Sequence, residues 1–83
     1  MKYQREITEI IKVAINITEP IEDINTNLQN IGVNSIAFVG IIVEIEDKFD
    51  IEFPDEKLVI NQTGTIKDLC EIIIDIKGDN DEI

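Results

Sequence analysis

A serine at position 35 stands where the polar, glycine-containing stretch IGVNSIAF turns into an apolar run. A serine hydroxyl attacks a substrate only with a base in hydrogen-bond reach, and the chain contains no histidine. The nearest lysine in sequence, Lys48, lies about four helical turns further along the same segment. Self-catalysis by Ser35 is not expected. Two uses stay open. Serine is a favoured helix N-cap, and capping is the commoner fate of such a residue, but Asn34 beside it caps equally well, so two residues compete for one role. A helix N-terminus also suits a phosphate, because its free N–H groups and the positive end of the dipole both favour an anion. A phosphodiester on the Ser35 hydroxyl would be electrostatically at home there.

The remaining reactive residues point to no catalysis and no metal. Cys70 is the lone cysteine, with apolar neighbours at helical spacing, and reads as a small core residue. The acidic runs EIEDKFD and DNDEI lack the alternating, glycine-containing spacing that wraps calcium, and read as solvated helix and tail. Paired-carboxylate chemistry needs a concave pocket, for which so small a domain has little room. The chain is expected not to be an enzyme.

Eighty-three residues, 43% of them hydrophobic, suit one small domain with a single core. With 18 acidic and 7 basic residues the net charge is −11. Such a surface repels phosphate backbones and anionic lipid, so nucleic-acid and membrane ligands are disfavoured and partners with basic patches are favoured. The plain alternative is a charge that serves solubility alone. A single thiol fits a reducing compartment, and the start MKYQREITEI lacks the apolar run of a signal peptide. No stretch approaches the roughly 20 apolar residues of a membrane span. The expectation is a soluble, cytoplasmic monomer.

The elements that must position Ser35 are helical. Tyr3, Ile7, Ile10, Ile11 and Ala14 share one face of a first helix running to about Asn16. Residues 18–34 form a long loop in which Ile21, Ile24, Leu28 and Ile31 act as anchors to the core, and a loop of that length tends to be functional. From Ser35 to Phe49 the pattern has two apolar sides. Phe38, Ile41, Ile42, Ile45 and Phe49 fall in one arc of about 100°, while Ile36, Val39, Gly40 and Val43 lie nearly opposite. The first arc must face the core; the second either packs under the short segment 55–60 or stays free for a partner. Pro54 and Asp55 open that short segment, and Thr65-Ile66-Lys67-Asp68 resembles a capping box before a last helix that carries Ile66, Leu69, Cys70, Ile73 and Ile76 or Lys77 and stops at Gly78. The fold class is all-α, a small bundle of three main helices and one short helix, with the domain at 1–78 and a frayed tail at 79–83.

The stretch beginning at Leu28, LQNIGVNSIAFVGIIVEIEDKFDIEFPDE, resembles the acyl and peptidyl carrier proteins. A leucine precedes by four residues a motif of the Gly-x-Asp-Ser-Leu kind, followed by an apolar helix, a phenylalanine and a Pro-Asp-Glu step; the likeness extends more weakly over nearly the whole chain. The resemblance implies that Ser35 receives 4'-phosphopantetheine from coenzyme A through a separate phosphopantetheinyl transferase. It also implies that the thiol of that arm carries an acyl, aminoacyl or peptidyl group as a thioester between loading, condensing and processing enzymes with basic docking patches. On this view Ile36, Val39, Gly40 and Val43 form the centre of the docking face and Glu44, Glu46 and Asp47 its steering charges. Two positions depart from the family pattern. Asn34 replaces the usual aspartate before the serine, which removes a charge near the transferase's magnesium. Gly40 stands where fatty-acid carriers typically have glutamate, which favours a specialised peptidyl or polyketide pathway over fatty-acid synthesis. From another class, an unmodified acidic interaction module remains as an alternative.

Overall fold

The computed structural model describes residues 2–57 and 64–78. Three helices carry the fold: α1 (Gln4–Ile15), α2 (Ser35–Phe49) and α3 (Ile66–Lys77), with 3-10 turns at Leu28–Ile31 and Asp55–Lys57. The short segment expected over 55–60 is thus seen as one 3-10 turn, and its remainder, like the expected tail at 79–83, lies outside the described residues. The described residues contain no strand, only an isolated antiparallel bridge between Asn27 and Thr65.

The helix boundaries follow from local chemistry. α1 begins after Tyr3, whose backbone is left-handed (φ 69°) and whose side chain makes no cap hydrogen bond. The Tyr3 carbonyl accepts the Ile7 N–H at 3.0 Å, and its ring meets Phe49 edge-on with centroids 5.0 Å apart. Such an aromatic contact contributes about 0.5–1.5 kcal/mol, which offsets part of the roughly 1–2 kcal/mol that a left-handed residue costs. α1 closes at Asn16 (φ 59°), where Asn16 and Ile17 donate to the carbonyls of Val13 and Lys12. α2 stops at Asp50, also left-handed (φ 57°), before Pro54 is reached. α3 opens with the Thr65 hydroxyl accepting the Asp68 N–H at 3.1 Å and closes on Gly78 at φ 71°.

Pinning of the long loop happens through its backbone. Leu28 N–H donates to the Gly64 carbonyl at 2.7 Å and Lys67 N–H to the Ile24 carbonyl at 2.9 Å, so the loop is tied to the entry of α3. Asn27 caps the 3-10 turn by accepting the Gln29 N–H at 2.9 Å, and Gly32 leaves it at φ 108°, a region that side-chain-bearing residues avoid. The chain is thereby turned toward Ser35. Leu28 is fully buried, while Ile21, Ile24 and Ile31 pack partly against the core, in line with their reading as anchors.

The core joins Ile7 and Ile11 of α1, Phe38, Ile41, Ile42 and Ile45 of α2, and Ile66, Leu69, Cys70 and Ile73 of α3, with Leu28, Val33 and Phe53 from the connections. α1 packs on both α2 and α3. The Tyr3–Phe49 contact joins the start of α1 to the end of α2, so these two helices run antiparallel. Each such buried aliphatic or aromatic side chain contributes roughly 1.5–3 kcal/mol relative to exposure. Two positions correct the expected pattern. Ala14 lies in the apolar arc of α1 but is exposed, because it lines an open groove across from Gly40. On α3 neither Ile76, 37% exposed, nor Lys77 continues the buried stripe, which ends at Ile73.

Candidate functional site

The start of α2 resolves the competition between Asn34 and Ser35. Asn34 has extended backbone (φ −90°, ψ −179°), the conformation of an N-cap, and its Oδ1 accepts the Ala37 N–H at 2.7 Å. Its carbonyl accepts the Phe38 N–H at 2.8 Å and begins the helical ladder. Ser35 is therefore the first residue inside the helix. It is exposed, it is the chain's one serine, and its hydroxyl makes no hydrogen bond among the described residues. The cap is complete without it.

The surroundings suit a phosphate. The N–H groups of Ser35 and Ile36 precede the ladder and find no acceptor among the described residues. α1 and α3 each place an acidic residue in their first turn, Glu6 and Asp68, whereas the first turn of α2 has none. In a chain of net charge −11, the positive end of the α2 dipole beside the Ser35 hydroxyl thus has no carboxylate from its own first turn. Asn34 caps through a neutral amide, so it satisfies the Ala37 N–H without bringing a negative charge next to that position.

Most of the residues expected at a docking face come together on one side of α2. Ile36 is 84% exposed, Val39 53% and Val43 54%, and Gly40, Glu44 and Asp47 are exposed around them. Phe38, Ile41, Ile42 and Ile45 fill the opposite, buried arc. Packing of the free side under residues 55–60 concerns a segment that lies in part outside the described residues. Glu46 differs from its neighbours. It is half-buried, and its Oε2 accepts the Phe53 N–H at 2.8 Å, so it holds the chain after α2 against the helix and does not point outward as a steering charge. Val13 of α1, 79% exposed, was not legible as part of any surface; it lies next to Ala14, off the regular apolar face, where spacing carries no signal.

Cys70 is fully buried in the core. Among the described residues no three His, Cys, Asp or Glu side chains gather where they could hold a metal ion. No helix among those residues is long and apolar enough to cross a membrane.

Comparison with known proteins bears on the same region. The family model described as the phosphopantetheine attachment site matches residues 5–73. An acyl carrier protein homolog of Ureaplasma parvum is 29% identical over 65 residues, covering 78% of this chain and 77% of the relative. One from Mycoplasma genitalium is 29% identical over 74 residues, covering 89% and 80%. The acyl carrier protein of Wolinella succinogenes is 26% identical over 69 residues, covering 82% and 88%. No solved structure matches. With the attachment-site model spanning α2 and all but the first residue of α1 and the last turn of α3, the chain belongs to the acyl carrier protein family, whose domain is the site of covalent 4'-phosphopantetheine attachment, and its role is that of a phosphopantetheine carrier.

Proposed function

We propose that Ser35 bears the 4'-phosphopantetheine arm, and that the chain shuttles thioester-bound acyl, aminoacyl or peptidyl intermediates between enzymes of a specialised pathway of the nonribosomal peptide or polyketide type. The observation that carries the assignment is the division of labour at the start of α2: Asn34 holds the cap, and Ser35 is left exposed with an uncommitted hydroxyl. In the loading step the Ser35 oxygen forms a bond to phosphorus as the pyrophosphate link of coenzyme A breaks and the nucleotide leaves. The hydroxyl proton goes to a base of the phosphopantetheinyl transferase, since this chain has no histidine to take it. Once attached, the arm supplies the thiol on which the cargo rides. The unbonded amides of Ser35 and Ile36 then favour the phosphodiester through the helix N-terminus.

The partners on this reading are the transferase and the loading, condensing and processing enzymes. They meet Ile36, Val39, Gly40 and Val43 through apolar contact and Glu44 and Asp47 through basic patches, which raise the encounter rate more than the affinity. Reducing, cytoplasmic surroundings and a monomer fit the lone cysteine and the short exposed stripe. Gly40, in place of an acidic residue, supports the specialised pathway. Fatty-acid synthesis is the second reading, which fits equally well the relatives' names, an acyl carrier protein and two acyl carrier protein homologs.

Replacing the genomic copy by Ser35→Ala tests the function. A carrier loses its product entirely, whereas an unmodified acidic interaction module tolerates the change. In the same cells, unchanged total fatty acids with loss of a specialised product support the preferred pathway, and a fall in total fatty acids assigns the protein to fatty-acid synthesis.

A further inference from the structure

Between α1 and α2 lies an open groove of about 660 Å³ whose α1 side, with Arg5, Glu9 and Val13, lies outside the docking face proposed above. Counting four-residue steps along the two antiparallel helices from the Tyr3–Phe49 contact sorts its lining residues into tiers: Arg5 with Lys48 at that end, Glu9 with Glu44 in the middle, and Val13 with Gly40 toward the Ser35 end. Successive tiers are about 6 Å apart, the rise of four helical residues. The groove therefore reads, from the Ser35 end, apolar, acidic, basic.

Two features of these tiers have no use among the described residues. Gly40 is exposed in mid-helix, and a Cβ built there would meet nothing within 4 Å, so neither close packing nor a left-handed backbone requires glycine. Glycine is the poorest helix former after proline, so the position gives up local stability while keeping the groove floor open. Val13 presents an apolar side chain that is 79% exposed across from it. Arg5 and Lys48 enter no ion pair or hydrogen bond among the described residues, although Glu6 also lines that end and the chain carries 18 acidic residues. Glu9 is the exception, with Lys12 at 3.7 Å.

We propose that this groove docks an amphipathic helix of a partner protein, which presents an apolar, a basic and an acidic side chain at successive four-residue positions. The apolar group covers the floor between Val13 and Gly40, the cation meets Glu9 and Glu44, and the anion meets Arg5 and Lys48. A purely basic patch, suited to the rest of this acidic surface, is repelled at the far tier, so the groove selects for charge order and not for net charge. A second copy of the chain is disfavoured as occupant because each copy carries −11. The groove shares Gly40 and Glu44 with the docking face proposed above but needs no arm on Ser35, so a failure here leaves the Ser35 assignment untouched.

The test titrates two helical peptides of about three turns into isotope-labelled Ser35→Ala protein, followed by amide shifts in NMR. One peptide carries leucine, arginine and glutamate at four-residue spacing; in the other the arginine and glutamate are exchanged. The first is expected to move the amides of Glu9, Val13, Gly40 and Glu44 and to bind about tenfold more tightly than the second, the scale of two exposed charge pairs reversed. Gly40→Leu, which fills the floor, is expected to remove that difference, and Gly40→Ala to raise the thermal midpoint. Equal titration by both peptides, or shifts confined to other surfaces, overturns the proposal. So does a fall in midpoint for Gly40→Ala, which would give the glycine an internal role, and so do concentration-dependent shifts of these amides without peptide, which would make a second copy the occupant.

Discussion

Exchanging Asn34 and Ser35 separately for alanine measures which of them the helix uses. Asn34 Oδ1 accepts the Ala37 N–H at 2.7 Å, and loss of such a cap costs about 1 kcal/mol, within a range of roughly 0.5–2. In a domain of this size 1 kcal/mol moves the thermal midpoint by about 4–8 °C, so Asn34→Ala is expected to melt about 4–8 °C lower. Ser35 lies inside the first turn with no side-chain hydrogen bond among the described residues, and alanine is the better helix former there by up to about 0.5 kcal/mol. Ser35→Ala is expected to melt at the same temperature or about 2–4 °C higher. Asn34→Asp keeps the cap and the midpoint. The assay is thermal unfolding of the unmodified proteins followed by circular dichroism. If Ser35→Ala falls as far as Asn34→Ala, the hydroxyl is a structural cap and is not free for attachment.

Other perturbations have definite expected outcomes. Phe38→Ala in the fully buried arc of α2 should cost about 3–5 kcal/mol, a large share of the roughly 4–12 kcal/mol that a chain of this length has, and should lower the urea midpoint accordingly. Glu46→Ala leaves the Phe53 N–H without its acceptor and should cost about 1–3 kcal/mol, with loss of hydrogen-exchange protection at Phe53; Glu46→Gln, which retains an acceptor, should lose less. Thr8 has a buried hydroxyl with no partner among the described residues, so Thr8→Val should be neutral or stabilising by up to about 1 kcal/mol in urea unfolding. Cys70 should resist alkylation in native buffer and react promptly in denaturant, because the thiol is fully buried.

α2 was the most legible part of the fold, since fifteen helical residues give period 3.6 room to separate a buried arc from an exposed one. Its first residue was not. Asparagine and serine are both good caps, and only the extended backbone at Asn34 against the helical backbone at Ser35 decides between them. The loop anchors were visible as isolated apolar residues, but the ties from Leu28 to Gly64 and from Lys67 to Ile24 are backbone bonds that leave no side-chain signature. Ala14 has the right phase for burial and is exposed because of what faces it, Gly40 on another helix, which periodicity along α1 does not register. Charge was equally silent on Glu46, whose carboxylate reads as a surface group until the chain after α2 folds back onto it.

Whether Ser35 carries the arm is read from the intact mass of the protein. The protein and Ser35→Ala are incubated with coenzyme A, magnesium and a broad-specificity phosphopantetheinyl transferase, with Asn34→Asp alongside to separate transferase choice from absence of a site. The wild-type chain or Asn34→Asp is expected to gain the mass of one phosphopantetheine and Ser35→Ala to gain none. An equal gain on Ser35→Ala, or no gain on either serine-bearing protein under conditions that modify a control carrier, contradicts attachment at Ser35.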